Sequence, residues 1–219
     1  MPIDDMINAL KGKVCVNKLD IHAVVCESIT NSRVTFDLEN QARQFKESIG
    51  EMPAENVVFK ILSGKQGFSS ISVIDFVAKN EGIKELYCST FRIGKKQFEI
   101  LKSHKDGGRI ENALFVTSKT QENTDGNRQE YNYFAEIREK CCEMGWDIYA
   151  INNHSKIILM RTRKNYYVVE TSSNLNENPQ LEQFSIENSK KVFDFYKSMF
   201  EEMKKWAEQE SRLANKKAT

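Results

Sequence analysis

The chain reads as an α/β protein, with a mixed, largely parallel sheet covered by helices on both faces and a small N-terminal α+β segment. Three observations predict this class. From residue 67 onward, strand-like apolar runs alternate with segments of helical period, the pattern of crossover units. The helical segments end at glycine, as at Gly82, Gly107-Gly108 and Gly145. A hydrophobic fraction of 40%, with 13 Phe and 7 Tyr, is ample for a core.

Each element follows from its local pattern. GFSSISVIDFVAKNEG is a helix with Ser69 or Ser70 as N-cap and Ile71, Ile74, Val77 and Ala78 on one face. IKELYCSTFRIG is a strand, KKQFEILKSHKDGG a helix and RIENALFVTS a strand. NRQEYNYFAEIREKCCEMG is a helix, and WDIYAINNHSKIILM opens the next strand system. The tail from Asn188 is a long amphipathic helix. Its stripe of Val192, Phe193, Phe195, Tyr196, Met199, Phe200, Met203 and Trp206 packs on the sheet, with contact to a partner subunit as the alternative. In residues 1–60, LDIHAVVCESI and NVVFKIL look like strands and LENQARQFKESIGEM looks helical; Pro53 is the best boundary candidate. The expected division is therefore 1–60 and 61–219.

Composition excludes several classes. A net charge of +1 gives no global basic field, so any anion site is local. Five Cys without a CxxC pair point to reduced thiols and a cytoplasmic compartment. The N-terminus lacks a signal-peptide pattern, and no run approaches the roughly 18 apolar residues of a membrane span. His22 reads as a packed or edge histidine, and His104 as a surface residue near a helix C-terminus.

The chemistry concentrates in Asn152-Asn153-His154-Ser155-Lys156 and Glu170-Thr171-Ser172-Ser173-Asn174. In a strand, residues i and i+2 share a face, so His154 pairs with Lys156, and Ser172 with Asn174. Between them IILMRTRKNYYVV reads as two strand arms around a turn. A hairpin centred on Lys164 would set His154 opposite Asn174 and Lys156 opposite Ser172. A base, a cation and two neutral hydrogen-bonding groups would then converge on one anion; a one-residue slip would send them to opposite faces.

His154-Ser155-Lys156, then Thr171-Ser172-Ser173-Asn174, then Glu182-Gln183 resembles the signature of the phospholipase D-like (HKD) phosphodiesterase superfamily. The motif is degenerate: Arg161 stands where the family has Asp, and Thr171 where it has Gly. The single motif and the ending Asn178-Pro179-Gln180-Leu181-Glu182-Gln183 are similar to bacterial and phage members. The resemblance implies a phospholipase D-like α/β/α sandwich and a histidine nucleophile at His154. It also implies an anion held by Lys156, Ser172 and Asn174, with Glu182 orienting the imidazole and Gln183 beside the substrate. With only one HxK, it implies a homodimer that pools two copies of His154. No metal or other cofactor is expected, and no membrane partner. Arg161 and Lys164, in a basic run that otherwise reads as a solvated turn, are candidate contacts for nucleic-acid phosphates, as is Arg92 to Lys96.

Three functions compete. The first is a metal-independent phosphodiesterase, most plausibly a nuclease. The second is a catalytically inactive relative that binds nucleic acid or a protein partner. The third is a structural or regulatory protein of a prophage or mobile element.

Overall fold

The structure, a computed structural model, describes residues 16–17, 21–26, 38–63, 68–122, 133–176 and 181–218. Asn178, Pro179, Gln180 and the expected helix start at 127–132 lie outside the described residues.

The strands are β1 (Val16–Asn17), β2 (Ile21–Cys26), β3 (Val58–Ser63), β4 (Ile83–Ser89), β5 (Ile110–Ser118), β6 (Asp147–Ile151), β7 (Ile157–Arg161), β8 (Tyr166–Thr171) and β9 (Glu182–Asn188). They form one nine-stranded sheet in the order β1-β2-β3-β9-β8-β7-β4-β5-β6. β2, β3, β4, β5, β6 and β8 point one way, and β1, β7 and β9 the other. The sheet is thus mixed, with crossovers joining β2 to β3, β4 to β5 and β5 to β6, and an antiparallel block between them. The helices are α1 (Leu38–Ile49), α2 (Ser70–Asn80), α3 (Lys95–Asp106), α4 (Lys119–Glu122), α5 (Phe134–Glu143) and α6 (Lys190–Ala218).

Strand alternation divides the core in two. Ile158 and Met160 of β7, and Tyr167 and Val169 of β8, face Phe45 of α1, Ile74 of α2, Phe98 of α3 and Ile137 of α5. Their neighbours Ile157, Leu159 and Val168 face Phe193, Phe200, Met203 and Ala207 of α6. Helices therefore cover both faces. The tail stripe is narrower than its sequence suggests: Phe195 and Trp206 point outward, 67% and 53% exposed, because the buried line along α6 runs through 193, 200, 203 and 207.

The expected boundary at residue 60 falls inside β3, which sits between β2 and β9 in the common sheet. Phe45 of α1 packs edge-on against Phe68 and Phe76, at 4.9 and 5.4 Å between ring centroids. Ser69 caps α2, and Gln41 of α1 accepts from its N–H and hydroxyl at 3.1 and 2.8 Å. Gly82 follows α2 with φ +69, a conformation that favours glycine.

His104 corrects the surface assignment made from sequence. It is 1% exposed, with Nε2 2.9 Å from Asp75 Oδ1, and Lys79 reaches the other carboxylate oxygen at 2.8 Å. The pair joins α3 to α2, a partnership across 29 positions that local pattern does not report. Burial raises the Asp75 carboxyl, but the bonds from His104 and Lys79 outweigh it and hold the group below its usual 3.8. The folded pKa is then lower than the unfolded one. Its stabilisation is complete above 3.8 and disappears as pH falls through the folded value. Asp75→Asn is expected to cost about 3 kcal/mol at neutral pH. It should also flatten the acid side of the stability profile, measured by urea unfolding. An unchanged profile would contradict this role.

Candidate active site

Two loops meet at the carboxyl ends of β4, β5 and β8. The first, residues 152–156, joins β6 to β7. Those strands are three places apart in the sheet, roughly 14 Å at ordinary strand spacing, so the five-residue link, with a reach of about 20 Å, crosses the ends of β5 and β4. His154 and Lys156 therefore lie in a loop and not in a strand, contrary to expectation.

Asn153 fastens this loop. Its side chain is buried, and Nδ2 faces Ser89 Oγ at 2.9 Å, Val116 O at 3.2 Å and Thr90 O at 3.3 Å. Its Oδ1 accepts from Ser155 N–H at 3.0 Å and Ser155 hydroxyl at 2.7 Å. One buried amide thus satisfies strand-end groups and the turn of the loop together. His154, between the two anchored residues, is left exposed. Lys156 Nζ donates to the His154 carbonyl at 3.0 Å and lies 3.5 Å from His154 Nδ1.

The second loop follows β8. Here the hairpin register needs correction. β7 and β8 pair Ile157 with Glu170 and Arg161 with Tyr166, one residue away from the expected alignment. The turn is the four-residue 162–165, closed by Thr162 N–H to Asn165 O at 3.0 Å, with Thr162 Oγ1 accepting from Asn165 N–H at 3.0 Å. The slip does not scatter the site, because its residues lie beyond the strand ends, where strand parity no longer applies.

Ser173 is the buried member of Thr171-Ser172-Ser173-Asn174. It accepts from Ser70 N–H at 3.3 Å, and its carbonyl accepts from the Ser70 hydroxyl at 3.0 Å. That tie to the start of α2 turns Ser172 toward β9. Ser172 donates its hydroxyl to the Glu182 carboxylate and accepts from Gln183 N–H at 3.1 Å. Asn174 Oδ1 accepts from Phe91 N–H at 3.2 Å and Thr90 hydroxyl at 3.4 Å. That fixes the amide and leaves Nδ2 as its donor group. The Phe91 ring stands beside the His154 imidazole, centroids 5.3 Å apart and planes at 53°.

His154, Lys156, Ser172, Asn174 and Glu182 thus belong to one connected set. Burial depresses the Lys156 pKa, and the nearby Glu182 carboxylate partly restores it. Glu182 is 4% exposed, so its charge is poorly screened. Gln183 is exposed and meets Ser172 through its backbone, its N–H donating to the Ser172 hydroxyl oxygen at 3.1 Å. Arg161 and Lys164 are not brought to this edge. Arg161 is at the far end of β7, paired with Glu85 at 2.8 Å, and Lys164 is in the far turn. The length of the strand separates both from His154.

The set holds an exposed imidazole, a cation and the Asn174 amide close together, a combination that suits attack on a phosphoryl group with preplaced donors for its oxygens. Among the described residues, no group of three or more His, Cys, Asp or Glu is arranged to hold a metal ion, and no helix is long and apolar enough to cross a membrane.

No family model and no curated protein matches the chain. Solved structures do. One is Nuc from Salmonella typhimurium, a phospholipase D family member, at 15% identity and TM-score 0.47 over 66% of this chain and 91% of that one. Another is polyphosphate kinase from Porphyromonas gingivalis, at 12% identity and TM-score 0.47 over 65% of this chain and 25% of that one. A third is phosphatidylserine synthase from Haemophilus influenzae, at 15% identity and TM-score 0.41 over 59% of this chain and 34% of that one. The roles proposed below rest on this chain's own residues.

The coupling of Glu182 to Lys156 is open to measurement. Removing the carboxylate charge takes away the one influence that raises the ammonium pKa. In Glu182→Gln, the Lys156 pKa, followed by NMR of its side chain, is expected to fall further. A rise or no change would show that the two groups do not share a site.

Proposed function

We propose that the chain is a metal-independent phosphodiesterase of phospholipase D-like type, acting on nucleic acid as a homodimer. The observation that carries this reading is the convergence of His154 and Lys156 with Ser172, Asn174 and Glu182 at one edge of the sheet.

In the proposed reaction, a neutral imidazole nitrogen of His154 attacks phosphorus. The bond from phosphorus to the leaving oxygen breaks, giving a phosphohistidine. Lys156 carries charge to the nonbridging oxygens and the Asn174 amide donates a hydrogen bond, while the Ser172 hydroxyl, which donates to Glu182, fixes that carboxylate beside Lys156. Glu182 holds Ser172 and sustains the Lys156 charge. It acts there as a positioning residue, a different task from the imidazole orientation inferred from sequence. Water then attacks the phosphohistidine and restores His154.

The leaving oxygen requires a proton, and the second step requires a base. His104 is sequestered against Asp75, and His22 lies in β2, opposite Phe59 of β3. A second copy, related by a two-fold axis, would supply its own His154 for both tasks. The degenerate Arg161 position is compatible with this scheme, because that residue is engaged by Glu85 away from the site. Free Cys88, Cys141 and Cys142 suit a reducing, cytoplasmic compartment.

Two experiments test the reading. Purified protein with EDTA is expected to cleave DNA, RNA or a chromogenic phosphodiester, and His154→Ala should lower the rate by a factor on the order of 10³ or more. Binding without cleavage, indifferent to that substitution, would favour an inactive binding protein. Sedimentation should give a mass twice that of the 25.3 kDa chain. A monomer mass under the conditions of activity would overturn the shared site.

A further inference from the structure

Phe91 lies two residues beyond the end of β4, and the roles above leave its side chain unused. Its backbone is held on both sides: the N–H donates to Asn174 Oδ1 at 3.2 Å, and the carbonyl accepts from Ser118 N–H at 3.4 Å. Such bracing fixes where the side chain projects. The ring is only half-buried and stands 5.3 Å from the His154 imidazole, tilted 53° to it, so the imidazole does not cover it as a parallel stack would. The Arg92 guanidinium lies 5.8 Å from the same ring. Among the described residues no carboxylate holds that guanidinium. A fixed, partly exposed aromatic ring with an unneutralised planar cation, next to the reacting histidine, is more than packing demands.

We infer that Phe91 and Arg92 form a stacking subsite for a nucleobase adjacent to the reacting phosphate, which makes the substrate single-stranded nucleic acid. The inference rests on the phosphodiesterase reading for the position of the phosphate. A base has a π-face for the ring, and guanidinium adds cation–π and phosphate contacts. Every base offers such a face, so the subsite is tolerant of sequence. A base inside a duplex is already stacked and paired, and would have to be withdrawn at a cost of a few kcal/mol.

The test reads binding in the His154→Ala protein, so that cleavage does not intervene. Fluorescent oligothymidylate, an abasic backbone of equal length and a duplex are compared by anisotropy. Oligothymidylate is expected to bind about 5- to 100-fold more tightly than the abasic backbone. A second substitution, Phe91→Leu, should erase that difference, whereas Phe91→Tyr should keep it. Equal affinity for oligothymidylate and the abasic backbone would overturn the proposal, even if Phe91→Leu proved unstable. So would a preference for the duplex, or base-dependent binding that survives Phe91→Leu. Base-dependent binding in a wild-type protein that never cleaves would sink the phosphodiesterase reading and leave this subsite standing. Cleavage that ignores the bases would do the reverse.

Discussion

The side-chain amide of Asn153 is the interaction on which the site depends. The link from β6 to β7 must pass over two strand ends, and such a crossing leaves strand-end carbonyls and loop amides without regular partners. Asn153 meets that demand from one buried position, facing Ser89, Thr90 and Val116 on one side and gripping Ser155 on the other. The imidazole next to it gains a fixed location while staying open to solvent. Because Ser89 ends β4, Thr90 follows it directly and Val116 belongs to β5, the site inherits the rigidity of the sheet centre.

A similar division of labour governs the opposing loop. Ser173 binds the first turn of α2, which frees Ser172 to engage Glu182 and Asn174 to engage the Thr90–Phe91 segment. In both loops a buried residue does the fastening and its neighbours do the presenting. The two loops are further joined through Thr90, whose carbonyl meets Asn153 and whose hydroxyl meets Asn174. Displacement of either loop would therefore be felt in the other. The far end of the hairpin has its own separate lock: Glu81, just after α2, accepts from Tyr167 at 2.6 Å, Asn165 at 2.8 Å and Thr162 at 2.9 Å. That lock holds the turn containing Lys164 well away from His154.

Much of this organisation was legible in the sequence. Alternation and helical period located β4, α3, β5, α5, the strands between 147 and 171, and α6, but not β9, and HxK with Ser-Ser-Asn marked two loops that meet at one end of the sheet. What escaped was long-range pairing. A polar Asn153 or Ser173 looks like loop material until the strand end that it satisfies is known, and His104 looks exposed until Asp75 arrives from another helix. His154, Lys156, Ser172 and Asn174 come near one another even though the hairpin register differs by one residue from the one expected. The proposed site residues converge because loop anchors place them, not because strand alternation does. Phe91 carried no local signal; only the spatial approach of its ring to His154 distinguishes it from a core aromatic.

The central chemical claim is that His154 becomes covalently phosphorylated during turnover. Rapid quench of a reaction with radiolabelled phosphodiester into alkali, followed by peptide mapping, tests it directly. A base-stable, acid-labile label is expected on the peptide holding His154. Turnover that proceeds with no label on that peptide would contradict it.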